Sequence, residues 1–416
     1  MAYLKDVADI VMGQSPSGDR CYVTKRGLPL LNGPTEFGSH HPIPTQWTDD
    51  PKRQATQGDL LFCVRGSTTG RMNWADQDYA IGRGLAAIRH QSGEKFQPWI
   101  RGIIEAQLSG LLNAATGSTF PNVSKDQLHN LEVPDHSPFE QEEIASILGA
   151  LDNKIELNRQ TAATLEEMAR ALYRSWFVDF DPVKAKAEGL APAFMDEATA
   201  ALFPDRFGEG GLPEGWTAGT LGDLIEFNPR ERITKGADVP YLDMKALPTS
   251  GMIADPAYQR TFTSGTKFRE GDTLLARITP CLENGKTAMV DDLLGAEVGW
   301  GSTEFIVMRS KPGVPSALPY CVARDPDFRD EAIATMNGSS GRQRADAKSI
   351  SQLKCAVPPV MVLTSFGQQT APMIARIHAF GRENQTLAAL RDTLLPKLMS
   401  GELRVGEARE QIEEVA

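Results

Sequence analysis

Cysteine is scarce: Cys21, Cys63, Cys281, Cys321 and Cys355 are scattered over 416 residues, odd in number and never at the spacing of a zinc site. That distribution argues against a disulfide scaffold and fits a reduced, cytoplasmic protein. The six histidines form no ligand cluster, and adjacent His40 and His41 read as a surface pair. No apolar run is long enough to span a bilayer, and the first ten residues lack the basic and apolar regions of a secretion signal, so no membrane association is expected. Nucleotide-binding glycine patterns after a strand are missing, and so is a Gly-x-Ser-x-Gly elbow. The glycines of residues 208–211 read as a flexible joint. The Asn/Asp-Pro-Pro-aromatic tetrapeptide expected of an amino-methylating enzyme is also missing; Asn228-Pro229-Arg230 and Val357-Pro358-Pro359 come nearest and lack its flanking residues. One carboxylate group remains to support a metal-dependent nuclease, Asp223 with Asp243 and Lys245. Its counterpart in the first half of the chain is Asn32-Gly33-Pro34, with neither carboxylate nor lysine, so no catalytic residue and no metal ligand is assigned.

What the chain has in plenty is helical length. Residues 137–182 read as one long amphipathic helix, with Ser137 as N-cap, Pro138 in the first helical position, and Glu140, Glu142 and Glu143 at the positive end of the helix dipole. Apolar or small residues then recur in steps of four and three: Ile144, Leu148, Leu151, Ile155, Asn158, Ala162, Leu165, Ala169, Leu172 and Trp176. The seam lasts roughly five heptads. A second run over residues 366–400 places Met373, Ile377, Phe380, Asn384, Leu387, Leu394 and Leu398 in the same steps, with one skipped position at Arg391. A lone rod cannot bury such a stripe, so the two are expected to pair antiparallel; the alternative is that both are core helices of larger domains. Asn158 and Asn384, one on each seam, are expected to set the register, because a slip strands a buried amide.

The chain also repeats itself at a period of roughly 210 to 227 residues. Leu4-Lys5-Asp6-Val7 answers Leu221-Gly222-Asp223-Leu224, and Pro29-Leu30-Leu31-Asn32 answers Pro240-Tyr241-Leu242-Asp243. Gly58-Asp59 answers Gly271-Asp272, Gly70-Arg71 answers Gly285-Lys286, and Ala86-Ala87-Ile88-Arg89 answers Ile306-Val307-Met308-Arg309. Residues 117–128 answer 341–353, and Val133-Pro134 answers Val357-Pro358, ahead of the long helices. The expected organisation is therefore a domain over residues 1–136, a long helix over 137–182, a linker over 183–212, a second domain over 213–360, a second long helix over 361–403 and a tail over 404–416. Short β-branched runs between Gly, Pro and Asp turns mark both domains as strand-rich α/β, giving an α+β chain with pseudo-twofold order.

The net charge of −11 is unpromising for a DNA binder, but the excess is local: residues 137–182 hold four Lys and Arg against nine Asp and Glu. Both domains are nearly neutral, and either can present a basic face.

The alternation of two such domains with two long helices, the segment Gly117-Ser118-Thr119-Phe120-Pro121-Asn122-Val123-Ser124-Lys125, and the helix exit Leu172-Tyr173-Arg174-Ser175-Trp176-Phe177-Val178-Asp179-Phe180 resemble the specificity subunit of a type I restriction-modification system. Leu212-Pro213-Glu214-Gly215-Trp216 and Leu395-Pro396-Lys397-Leu398-Met399-Ser400-Gly401 are similar to that family as well. The resemblance implies two target recognition domains, each reading half of a bipartite asymmetric DNA sequence, with helices that fix the spacer. It implies no catalytic centre in this chain. Two adenine-methyltransferase (modification) subunits would dock on the helices, and motor-nuclease subunits would join for restriction. S-adenosylmethionine, ATP and Mg are expected on those partners and no cofactor on this chain. Trp176, Phe177 and Phe180 are candidate docking residues, with burial against the chain's own second rod as the alternative. Candidate DNA contacts are Lys25, Arg26, Arg65, Arg71, Arg83 and Lys125 in the first domain, and Lys235, Arg277, Lys286, Arg342, Arg344 and Lys348 in the second. The loops Gly66–Arg71 and Gly82–Gly84 stand out because glycine lets a basic side chain approach a phosphate backbone. Rival readings are a stand-alone DNA-cleaving enzyme built on Asp223, Asp243 and Lys245, and a coiled-coil scaffold that binds no DNA.

Overall fold

The computed structural model describes residues 2–115, 121–339 and 341–413; the stretch Gly117-Ser118-Thr119-Phe120 used above lies outside them. The first long helix runs Pro138–Tyr173. Its start is a reciprocal cap: the Ser137 N–H donates to Glu140 Oε2 at 2.8 Å, and the Glu140 N–H donates to Ser137 Oγ at 3.3 Å. All ten residues of its expected seam are buried or half-buried. The helix stops short of residue 182. Arg174–Val178 form a wider π turn closed by the Asp179 N–H on the Arg174 carbonyl at 2.8 Å, Phe180 turns left-handed at φ 55°, and a separate helix begins at Asp181. The second long helix runs Val360–Ser400.

Packing divides the chain into two compact units, Met1–Leu157 with Glu383–Ala416, and Asn158–Arg382. Each holds one strand-rich domain and a length of each long helix. In the first unit Asp152 meets Arg391 at 2.8 Å and Lys154 meets Glu383 at 3.1 Å, so the residue numbers run in opposite senses and the helix segments are antiparallel. Arg391 fills the skipped position of the seam. Its charge is held there by Asp152, which also takes Arg101 at 3.0 Å. Burial opposes the charge on Arg391, but the hydrogen bonds it donates to Asp152 and Asp392 outweigh that and raise its pKa.

The two units share one topology, apart from one extra strand, Cys21–Tyr22, at the edge of the first unit's mixed sheet. A four-stranded antiparallel sheet takes the order Ala8–Met12, Leu85–His90, Leu60–Cys63, Met72–Trp74 in the first unit; in the second it is Ile225–Phe227, Phe305–Ser310, Thr273–Ala276, Thr287–Met289. A mixed sheet follows, with one parallel pair in each unit, Leu28–Leu31 beside Tyr79–Ile81 and Asp238–Leu242 beside Gly299–Gly301. A third, two-stranded sheet joins Ala2–Tyr3 to Glu132–Val133, and Thr217–Thr220 to Lys354–Val357.

Two of the sequence repeats turn out to be halves of one interaction. Gly58 and Gly271 are left-handed, at φ 85° and 82°, and make the turn that aims the following aspartate back at the sheet. Asp59 accepts from Arg89 Nε at 2.6 Å and Nη2 at 2.7 Å, and Asp272 accepts from Arg309 Nε at 2.7 Å and Nη2 at 2.6 Å. Each aspartate is 1% exposed and also takes a backbone N–H, from Thr56 and Arg269. A buried carboxylate is tolerated because it is fully bonded.

Each domain rests its sheet on the helices. In the first, Trp99, Ile100, Ile103 and Ile104 of the helix Gln97–Asn113 pack with Leu60, Phe62 and Ile88, and also with Ile144, Leu148, Leu394 and Leu398 of the long helices. Gly102 permits that approach, since a Cβ there would lie 3.1 Å from Met399 Cε and 3.2 Å from Leu148 Cδ1. In the second, the aromatic exit goes inside the chain, which corrects its assignment as a docking surface. Trp176 is 2% exposed and Phe177 9%, packed against Phe203, Trp216 and Phe366. Phe180 is half-buried with its ring 5.6 Å from Trp216. The apolar surface of these aromatic rings is worth more against one another and Phe366 of the second long helix than in water. Asn158 is 1% exposed and Asn384 half-buried. Among the described residues, no helix is long and apolar enough to cross a membrane.

Candidate nucleic-acid interface

The glycine loops of the first domain converge at one edge, where three strands end. After Leu60–Cys63, the Val64 N–H donates to the Gly84 carbonyl at 2.9 Å, which joins the loop bearing Arg65 to the turn bearing Arg83. The Arg83 N–H reaches Ser15 Oγ at 3.3 Å, and Arg71 reaches the Pro34 carbonyl at 3.3 Å. On the other side the Val123 N–H donates to the Val64 carbonyl at 2.9 Å, Arg65 pairs as a β-bridge with Asn122, and its Nε donates to Asn122 Oδ1 at 3.3 Å. Arg65, Arg71 and Arg83 are exposed, and none has an acidic partner among the described residues. Lys125 is exposed at the start of the short helix that Ser124 caps, next to this edge. Exposed guanidinium groups without acidic partners, on a rim of glycine-bearing loops, are the chemistry that attracts phosphate and reads groove edges.

The second domain builds the same edge with different side chains. The Arg277 N–H donates to the Glu304 carbonyl at 2.9 Å, the Ala345 N–H donates to the Arg277 carbonyl at 2.8 Å, and Ile278 bridges Arg344. Arg277 therefore stands where the first domain has Val64, Glu304 where it has Gly84, and Arg344 where it has Asn122. Arg277 is half-buried, with its Nε lacking a hydrogen-bond partner among the described residues. Arg344 is exposed and side-on to Glu304, with Nη2 at 2.7 Å and Nε at 2.9 Å, a pairing that raises its pKa. Arg342 and Lys348 are exposed nearby, Lys348 on the helix capped by Asp346. Lys286 spends its ammonium on the Met244 carbonyl at 2.8 Å, as Arg71 does on Pro34, so this repeated pair ties down the loop after the parallel strand.

Three candidates lie elsewhere. Lys25, Arg26 and Lys235 sit at the start of the strands Leu28–Leu31 and Asp238–Leu242, whose other ends carry the edge described above. Arg26 pairs with Asp49 at 2.7 Å and stacks 4.5 Å over Tyr22. The carboxylates of the nuclease alternative have structural duties. Asp223 accepts the Thr220 N–H at 2.8 Å as a helix cap, the bond that lowers its pKa first, and Asp243 accepts the N–H groups of Lys245 and Ala246 at 2.7 and 2.9 Å.

The family model described as "Type I restriction modification DNA specificity domain" matches residues 2–167. The HindI specificity subunit of Haemophilus influenzae is 24% identical over 407 residues, 85% of this chain and 88% of its own length. The MjaIX specificity subunit of Methanocaldococcus jannaschii is 24% identical over 307 residues, 71% of this chain and 66% of its own. Over most of its length the chain is similar to the specificity subunits of type I restriction-modification systems. A solved type I restriction-modification S subunit from M. genitalium shares the fold, with a TM-score of 0.55 at 17% identity over 95% of each chain. The function of the chain is DNA recognition within such a system.

One organising residue of the second domain carries no sequence signal beyond a Tyr four positions before it. Arg324, 3% exposed, donates to the carbonyls of Thr249 at 2.9 Å, Gly285 at 2.7 Å and Thr287 at 2.8 Å, to that of Gly251, and to the Tyr320 hydroxyl at 3.0 Å. Tyr320 in turn donates to Glu166 on the first long helix at 2.7 Å. Burial and the Glu166 charge push the Tyr320 pKa well up, so the hydroxyl stays a donor. This network fastens two loops of the second domain, residues 249–251 and 285–287, to the helix.

Proposed function

We propose that this specificity subunit reads a split, asymmetric DNA target, one half with each strand-rich domain, and that the long helices set the number of base pairs between the halves. It acts without a catalytic centre of its own. Two modification subunits dock on the helices and bring S-adenosylmethionine; restriction motor-nuclease subunits with ATP and Mg join the same assembly. The observation that carries this reading is the repetition of one three-sheet topology in a single chain, with a loop edge of equivalent backbone bonds and unlike side chains in each copy. Equivalent scaffolds with different edges are what two readers of two different half-sites require. Since Trp176 and Phe177 are inside, docking falls to side chains left outside, such as Phe139 at the start of one long helix and Val360 and Met361 at the start of the other, 72%, 64% and 62% exposed.

The test is co-expression with an adenine-methylating modification subunit of the same system, followed by sequencing-based mapping of N6-methyladenine. A split, asymmetric motif that appears only with this chain is expected. Methylation that is absent, or indifferent to the chain, refutes the reading.

A further inference from the structure

The equivalence of Asn122 and Arg344 goes further than a shared place in the fold. Each is the residue that bridges the loop leaving the central strand, two positions before the N-cap of a short helix, Ser124 in one domain and Asp346 in the other. Each is a side chain able to read a base edge bidentately: asparagine matches adenine N6 and N7, and arginine matches guanine O6 and N7. Each is also held by a neighbour of the complementary kind. Arg65 Nε fixes the carbonyl end of the Asn122 amide at 3.3 Å, and the carboxylate of Glu304 grips Arg344 by Nε and Nη2. Gripped on that side, the guanidinium keeps N–H groups of its far end for another acceptor, with only Nη1 touching the Arg342 carbonyl at 3.3 Å. A side chain fixed by a neighbour loses little rotamer freedom on contact, which favours discrimination over mere attraction.

Building on the DNA-reading role above, we infer that this position is a base-reading position of each domain: Asn122 for an adenine in one half-site, Arg344 for a guanine in the other, with Arg65 and Glu304 as positioning residues.

The experiment is motif mapping by N6-methyladenine sequencing in cells making the modification subunit with the wild-type chain, Asn122→Ala, Arg344→Ala or Arg344→Gln. Arg344→Ala is expected to lose discrimination at one G·C pair of one half-site, by on the order of 10- to 100-fold, and Asn122→Ala at one A·T pair of the other half. Arg344→Gln is expected to shift that one position toward adenine, a change of preference that lost stability does not produce. Glu304→Gln is expected to weaken discrimination at the same pair and no other. A motif unchanged in the variants apart from yield, or relaxation spread over several positions or both halves, overturns the inference. If Arg344→Ala fails to fold, an unshifted motif from Arg344→Gln overturns it equally. A wild-type chain that directs no split motif overturns the DNA-reading role and this inference together, and so is told apart from failure of the inference alone.

Discussion

Replacing Asp272 by alanine tests whether the repeated Gly-Asp turn is what holds each domain's central sheet together. In the second domain the carboxylate accepts two bonds from Arg309 and one from the Arg269 N–H, and it is 1% exposed. Its removal leaves Arg309, with a side chain 24% exposed, partly uncompensated in a dry site. Breaking a buried pair costs about 3–5 kcal/mol; we expect about 3, the low end, because Glu231 still takes Arg309 Nη1 at 2.6 Å. For a unit of this size that lowers the melting temperature by about 6–12 °C. Asp59→Ala is expected to cost less, about 2 kcal/mol, since the Arg89 side chain is 44% exposed and regains water. Denaturant melts give the totals. Hydrogen exchange read by mass spectrometry assigns them, with protection lost in Thr273–Ala276 and Phe305–Ser310 for Asp272→Ala and in Leu60–Cys63 and Leu85–His90 for Asp59→Ala. A change under about 0.5 kcal/mol in Asp272→Ala, or a larger loss in Asp59→Ala than in Asp272→Ala, refutes the argument from burial.

Removing seven residues from both long helices is expected to keep the fold and shorten the spacer of the methylated motif; unchanged spacing sinks the ruler. Exchange of residues 213–356 for those of a relative is expected to change one half-site, read by the same methylation mapping, and a change in both counts against independent readers. Arg391→Leu is expected to cost within about 1 kcal/mol in a denaturant melt, because Asp152 keeps Arg101. Asp152→Ala is expected to cost more, about 2 kcal/mol, because it takes a carboxylate from two guanidinium groups at once and leaves Arg391 only Asp392 and Arg101 only Glu105, and the reverse order would overturn this account of the skipped seam position. Burial pushes the Cys321 thiol up to about 12 and Cys355 to about 11, from an ordinary value near 9. Both should resist alkylation at pH 8 in the folded chain and react once it is denatured. Since the unfolded thiols ionise first, they take stability away only above about pH 9. Rapid labelling of Cys321 in the native chain would contradict its burial.

The long helices were legible in the residues because helical periodicity is local. The four-and-three recurrence from Ile144 to Trp176 names a buried stripe whatever lies against it, and the Ser137–Glu140 cap depends on a separation of three residues. The duplication was legible for a related reason: two copies of one fold need the same turns at the same intervals, so Gly58-Asp59 and Gly271-Asp272 survive as matching fragments. What the residues alone did not decide is which distant groups meet. Asp59 and Arg89 are 30 positions apart, and only the register of the antiparallel sheet puts them within 2.6 Å. The same holds for Arg391 and Asp152, whose pairing turns a gap in the seam into part of it. Trp176 and Phe177 looked like a docking surface because an apolar helix end reads the same whether a partner or the chain's own Phe366 and Trp216 cover it. The basic residues divided on similar grounds: Arg65, Arg71 and Arg83 converge because three strands end side by side, whereas Lys25 and Lys235 belong to the far ends of strands. Sequence thus determined the elements and their repetition, through short-range periodicity and capping. Tertiary structure decided which charges are spent on the fold and which are left at an edge, because that depends on register and burial, set only when remote segments pack.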